Sequence, residues 1–320
     1  MSRSHGMGSA KAAMAIAGLS VGVAAGAALG TYIIAPNLPG GSAETSAATR
    51  ADAQTAEKER DIAVAQADSA DSYIGSLTEK AVSGALTDTP VIVVRTSSAE
   101  DEDVAAVGWL LKKAGALDGG TITLEEKFFA QDSADALKNI VTSTLPAGAQ
   151  LSVDQLEPGT HAGEAMGAAL VMDRETGQPF ADVQDRALLL TALKEAGFID
   201  FQSGTIRPAP AVVLITGDAD GGGQDSESGF VPTQQAHFAR ALHSQGMATV
   251  VAGRINSAAD SGLIGQLRED DAPVSTVDSI SREYGRLATV LAVAEAVEGG
   301  SGAYGSAASA EAAGPAAVVR

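Results

Sequence analysis

The sequence predicts an α/β fold behind a membrane anchor: an N-terminal transmembrane helix, an alanine-rich coiled-coil stalk, then a three-layer, Rossmann-like α/β domain with a mainly parallel sheet. Three observations lead there. Residues 12–35 form one uncharged, mostly apolar run, and alanines then recur at steps of three and four residues as far as Ala81. Beyond Gly84, short β-branched runs alternate with amphipathic segments, the order expected of parallel strands joined by crossover helices.

Bulk composition is consistent with that order. A chain of 320 residues with 45% apolar side chains can bury a core. Its 40 acidic residues outnumber 21 basic ones, giving a formal charge of -19. Such a surface repels phosphate backbones, so nucleic acid is not expected as a partner. Cysteine is absent, which excludes disulfides, thiolate metal sites and thiol nucleophiles.

The uncharged run covers 24 residues, enough to cross a hydrocarbon layer of roughly 30 Å. A cleaved signal peptide would share the basic start and the small Ala25-Gly26-Ala27 site, but its apolar stretch is only about 7–15 residues. Arg3 and Lys11 precede the run and Arg50 follows it at a distance, so residues 1–11 are expected in the cytoplasm and the remainder outside. Gly18, Gly22, Gly26 and Gly30 recur every fourth residue and leave one smooth stripe for a second helix. The literal G-x-S-x-G at 18–22 lies inside this helix and lacks the strand-to-helix turn a nucleophile elbow needs.

Prolines and glycines at 36–43 make a joint, and a helical stalk follows over 44–84. Ala53, Ala56, Ala63, Ala67, Ala70, Ile74, Leu77 and Ala81 share heptad spacing, interrupted by Arg60. Of these, Ala63, Ala67, Ala70, Ile74 and Leu77 are the candidate pairing residues. The alternative is a solvated single helix, because Ala, Glu, Lys and Gln favour helix without a partner.

The α/β domain is expected over 88–299. Strands are read at 91–94, 121–124, 212–215, 249–251 and 274–277, and helices at 134–145, 162–172, 183–196, 233–244, 258–267 and 282–297. The run Glu100-Asp101-Glu102-Asp103 places negative charge at a helix start. From residue 300 to 320 Gly, Ser and Ala dominate, and a disordered tail is expected.

Chemical motifs are sparse. Residues 300–305 match G-x-G-x-x-G but follow a helix instead of linking a strand to one. The loop after the 212–215 strand carries Asp218 and Asp220, candidates for a hard cation, without the third oxygen ligand and closing Glu of a calcium loop. His161, Met166 and Met172 are candidates for a soft metal, since imidazole and thioether suit Cu(I), although Met is also common core filler. His243 and Met247 stand four residues apart, with Gly246 between them. No catalytic triad, zinc-protease motif or P-loop appears, so no enzyme and no bound cofactor are expected.

Several segments, taken in order, resemble one family. They are Gly163-Glu164-Ala165-Met166-Gly167-Ala168-Ala169-Leu170, Lys194-Glu195-Ala196-Gly197-Phe198, the strand at 212–216, Ser275-Thr276-Val277-Asp278 and Gly285-Arg286-Leu287-Ala288-Thr289-Val290-Leu291-Ala292. With the glycine anchor and alanine stalk they are similar to the actinobacterial copper transporter family typified by mycobacterial copper transport protein B, MctB. The resemblance implies an envelope protein that limits intracellular copper by efflux across the outer, mycolate-bearing membrane, with copper as the transported ion. Physical chemistry adds a condition. A pore needs a closed barrel or a ring of helices, and one helix per chain supplies a ring only as a homo-oligomer assembled through the membrane helix and the stalk. The strands have the pattern of a soluble domain rather than of a barrel, which favours the inner membrane for the helix. The alternative function is a non-transporting, membrane-anchored scaffold whose α/β domain binds a partner or small ligand.

Overall fold

A computed structural model describes residues 43–223, 226–270 and 272–316. The expected membrane helix, with Gly18, Gly22, Gly26 and Gly30, lies outside the described residues. Among the described residues no helix is long and apolar enough to cross a membrane. The chain divides into two compact units, one ending at Ala70 and one starting at Asp71.

Helix α1 runs over Ala43–Val82 without a proline or a mid-helix glycine before Gly75. In the first unit it is a single helix whose Ala63, Ala67 and Ala70 are exposed. In the second unit its last turns belong to the α/β body: Thr78 and Val82 are buried, and Asp71 accepts hydrogen bonds from the backbone N–H groups of Glu283 (3.1 Å) and Tyr284 (3.2 Å). The residue before those donors, Arg282, supplies no side-chain cap, so a carboxylate from α1 serves the start of the following helix.

The remaining elements are β1 (Pro90–Thr96), α2 (Asp101–Lys113), β2 (Leu117–Leu124), α3 (Ala134–Ser143), α4 (Pro158–Leu170), α5 (Val183–Glu195), β3 (Ile199–Phe201), β4 (Ala211–Ile215), α6 (Ser226–Ser244), β5 (Ala248–Ala252), α7 (Leu263–Glu269), β6 (Ser275–Val277), α8 (Glu283–Val297) and β7 (Ala303–Tyr304). They form one seven-stranded sheet in the order β3-β2-β1-β4-β5-β6-β7. Every neighbouring pair is parallel except β2–β3, so the sheet is mainly parallel as the alternation of strands and helices predicts.

Side chains alternate between two cores, as the period of two in a strand requires. Ile92, Val94, Ile122, Val212, Leu214 and Val251 face α3 to α7. Val91, Val93, Val213, Ile215, Val250 and Val277 face the end of α1, α2 and α8. Three layers result.

Helix α4 shows how glycine sets a helix–helix distance. A Cβ on Gly159 would lie 2.2 Å from the Gln234 carbonyl oxygen, one on Gly163 2.6 Å from that of Phe238, and one on Gly167 2.7 Å from Gln245 Cγ. The three recur every fourth residue, so α4 lies close along a single stripe, against the α6 backbone at Gly159 and Gly163 and against the Gln245 side chain at Gly167.

Three expectations need correction. Residues 300–320 were to form a disordered tail, yet β7 adds a parallel strand beside β6, and Glu311 N–H donates to the Ala303 carbonyl at 2.8 Å. The cause is Asp278, fully buried at the end of β6, which pairs with Arg268 at 2.9 Å and accepts the Ser306 N–H at 2.8 Å. Gly305 makes this approach possible, because a Cβ there would sit 2.1 Å from the Asp278 carboxylate. The helix read at 233–244 starts earlier, at Ser226, with Pro232 inside it. The helix read at 258–267 splits into a 3-10 turn at Ile255–Ala258 and α7, since Gly262 closes a turn onto the Ala259 carbonyl at 2.8 Å.

Candidate functional site

In a doubly wound sheet ligands settle outside the carboxyl ends of the strands where the order reverses, here between β1 and β4. The chain itself narrows that crevice. Gly217 approaches the β1–α2 turn so tightly that a Cβ would lie 2.4 Å from the Ser98 carbonyl oxygen, and the hydroxyls of Thr96 and Ser98 bond each other at 2.9 Å. Instead of open N–H groups for an anion, the first turn of α2 presents Asp101, Glu102 and Asp103. Asp103 is 1% exposed and accepts Arg254 Nε at 2.9 Å and a terminal nitrogen of Arg286 at 3.0 Å. The acidic run therefore ties α2 to α8 and to the turn after β5.

Asp218 and Asp220 lie beside this crevice. Asp218 spends both oxygens on one residue, accepting the Asn256 backbone N–H and side-chain amide at 2.9 Å each. Asp220 accepts the Gly222 N–H at 2.9 Å and is exposed. Asp218 thus fastens the β4 loop to the turn after β5, and Asp220 folds the loop on itself.

The soft-metal candidates occupy different places. His161 and Met166 are five residues apart on α4, about 140° around the helix, so their side chains diverge. Met166 is fully buried in the core beneath the sheet. Met172 lies past the end of α4, where its backbone bridges Pro179. His161 is 7% exposed, with Nε2 3.0 Å from the Ser152 carbonyl oxygen and Nδ1 without a partner.

A half-open cavity of about 540 Å³ lies between α4, α6 and the chain after α7, and is lined by Thr160, Glu164, His237, Arg240, His243 and Asp270, among others. Arg240 donates to Asp270 and to the Gln266 carbonyl at 3.0 Å, and Glu164 accepts the Ser152 N–H at 2.9 Å. Burial lowers the pKa of His237 against the opposing pull of nearby Glu157, and burial with the positive charge of Arg174 lowers that of His243. Both imidazoles thus lean to the neutral form, which keeps a lone pair available. Among the described residues no three His, Asp or Glu side chains converge to hold a metal. Sequence reasoning missed His237, Glu157 and Asp270, which meet only through the fold. The one local signal was Glu157 four residues before His161, a helical-turn spacing.

On α1, the buried positions Thr78 and Val82 fall one residue after Leu77 and Ala81 of the heptad stripe. One residue is 100° of rotation, so Leu77 and Ala81 lie off the side of the helix that carries the buried Thr78 and Val82. Leu77 remains 45% exposed and Ile74 half-buried.

The comparison that decides kinship covers almost the whole chain: residues 10–315 match the model of a family described as copper transport outer membrane protein, MctB. The chain belongs to the MctB family. A copper transporter MctB of Mycobacterium tuberculosis strain H37Rv is 36% identical over 245 residues, 75% of this chain and 76% of that protein. The Mycobacterium bovis protein of the same name gives the same figures, and that of Mycobacterium leprae is 34% identical over 226 residues, 68% of this chain and 70% of its own. The MctB match takes in the uncharged run at 12–35 as well as the α/β unit. It gives the chain a copper-transport-related kinship, and the family is not one of enzymes.

Proposed function

We propose that this protein is a single-pass, oligomeric envelope protein that contributes to copper efflux and tolerance as a pore or pore component. Family membership over residues 10–315 carries the reading. Residues 12–35 would anchor the chain with its N-terminus inside, Gly18, Gly22, Gly26 and Gly30 would line the contact between membrane helices, and Ala63, Ala67, Ala70, Ile74 and Leu77 would pair the stalks. The description of the family favours the outer membrane for this assembly.

Cellular copper tests it. In a deletion strain grown in excess copper, total copper is expected to rise, to return to the wild-type level with the intact gene, and to stay high with Gly22→Leu, which also loses crosslinked oligomers. Unchanged copper on deletion would remove the efflux reading. The half-open cavity in the α/β unit favours a second reading, a membrane-anchored binding protein that transports nothing. A deletion strain with level copper, together with a soluble ligand retained by the full-length protein, would select it.

A further inference from the structure

The arginines that burial withdraws from water have counter-ions, with one exception. Among the described residues, Arg95, Arg240, Arg254, Arg268, Arg282 and Arg286 are at least partly buried, and each reaches a carboxylate within 4.0 Å. Arg186, on α5, is partly buried too, yet it forms no ion pair among the described residues and donates to the Ala181 carbonyl at a long 3.4 Å. Carboxylates are not scarce, since 40 acidic residues stand against 21 basic ones. The two beside it on α5 are engaged elsewhere: Asp182 accepts the N–H groups of Gln184 and Asp185 at 2.8 Å each, and Asp185 accepts that of Ala147 at 2.8 Å. Burial accordingly lowers the pKa of Arg186, with only Asp182 pulling the other way. Burial opposes the charge on Arg286 as well, but there hydrogen bonds to Asp103 and Glu102 outweigh it and the net shift is upward. A cation drawn out of water without compensation calls for an anion the chain does not supply.

The surroundings of Arg186 describe that anion. The side chain lines a half-open cavity of about 460 Å³ between α5 and the chain after β3, within the range of small-molecule sites. Val183, Ala187, Leu190, Phe201 and Ile206 give it apolar walls. Leu190 is 4% exposed, and Phe201 and Ile206 pack against the core beneath the sheet, so these walls are held in place. The other charges lining the cavity, Lys194 and Glu195, stand eight and nine residues further along α5, about 12 Å or more up its axis. Lys194 is already paired with Asp200 at 2.8 Å and sits 4.9 Å from the Phe201 ring centroid. One unpaired guanidinium against apolar side chains fits one negative charge on an apolar body. A phosphate monoester would bring nearly two charges to a single cation in a chain of net charge -19.

We propose that the cavity between α5 and the chain after β3 binds an organic monocarboxylate with an apolar tail, its carboxylate on the Arg186 guanidinium and its tail along Leu190, Phe201 and Ile206. The planar fork of arginine matches a carboxylate through two parallel N–H bonds, which a partly dry cavity strengthens. This site goes beyond the copper reading and does not depend on it.

The test is calorimetric titration of hexanoate into the full-length protein in nanodiscs, with empty nanodiscs as the blank. Wild type is expected to bind hexanoate saturably, with affinity rising up to about fourfold per methylene from butyrate to hexanoate. Acetate, which has the charge without the tail, and 1-hexanol, which has the tail without the charge, should each bind at least about tenfold more weakly. Arg186→Gln should weaken hexanoate at least about tenfold and leave 1-hexanol nearly unchanged. Should that variant fold poorly, the chain-length series and the comparison with acetate and 1-hexanol read charge and tail in the wild-type protein alone. No hexanoate binding above the blank, acetate binding as tightly as hexanoate, or an unchanged hexanoate affinity in folded Arg186→Gln overturns the site. None of these readouts involves copper, so a deletion strain that accumulates copper while the purified protein ignores hexanoate keeps the efflux reading and ends this one.

Discussion

Gly163 carries the sharpest demand on a single residue in the α/β unit. Its missing side chain leaves room for the Phe238 carbonyl and for Ala241, with a virtual Cβ at 2.6 Å from each. Gly163→Val should therefore push α4 off α6 and destabilise the protein by about 1–3 kcal/mol or more, read as a lower urea midpoint of the full chain. A midpoint equal to wild type would mean that the two helices separate freely. His243 gives a second prediction. Its pKa is lowered from 6.5 by burial and by Arg174, so below about pH 6.5 the unfolded chain takes up a proton that the folded chain refuses. Stability should fall as pH drops from 6.5, and His243→Gln should flatten that fall in pH-dependent urea melts. Equal slopes in the two proteins would show that His243 titrates normally.

At the scale of elements, what the sequence made legible was whatever periodicity encodes. Val91 to Val94 and Val212 to Ile215 are uninterrupted apolar runs buried on both faces, so their strands and the parallel sheet could be read directly. The end of the chain could not. Residues 303–312 contain little bulky apolar side chain, and their order comes from one buried carboxylate, Asp278, reached by Arg268 from 10 residues before and by Ser306 and Ala307 from 28 and 29 residues after. Composition cannot encode that. The same holds for Asp103, legible as a helix-start charge but in fact joined to Arg254 and Arg286 more than 150 residues later. In the candidate cavity, Thr160 and Glu164 share a visible helical spacing, whereas His237 joins them only through the glycine stripe that seats α4 on α6. The tail gives a prediction of its own. Arg268→Ala removes one member of a pair that is 6% and 0% exposed, and should cost about 3–5 kcal/mol. Deleting residues 303–320 strips the same Asp278 of its backbone donors, so the two changes together should cost less than their sum in urea melts. Strict additivity would mean that the tail and Arg268 act on separate networks.

For the whole molecule, the proposed pore requires contacts between copies that one helix per chain must supply. At the end of α1, Leu77 and Ala81 fall one residue before the buried Thr78 and Val82 and stay exposed. In that register Ile74 and Leu77 take the two core positions of the last heptads, β-branched at one and Leu at the other, the combination that favours parallel pairs. Arg60 occupies a core position with Glu59 beside it, and a polar core residue of this kind fixes register at a cost in stability. Alanine knobs bury little area, so the stalk alone should pair weakly and depend on the glycine stripe before it. The natural absence of cysteine makes the geometry testable without background. A single Ala67→Cys, on the stripe, should form an intermolecular disulfide in membranes under mild oxidation. Ala65→Cys, about 200° around the helix, should not. Adding Gly22→Leu to Ala67→Cys should reduce the crosslink, because the membrane helices would no longer hold the stalks together. Equal crosslinking at positions 65 and 67 would mean that the copies meet by random collision, and that the alanine stripe is a solvated face.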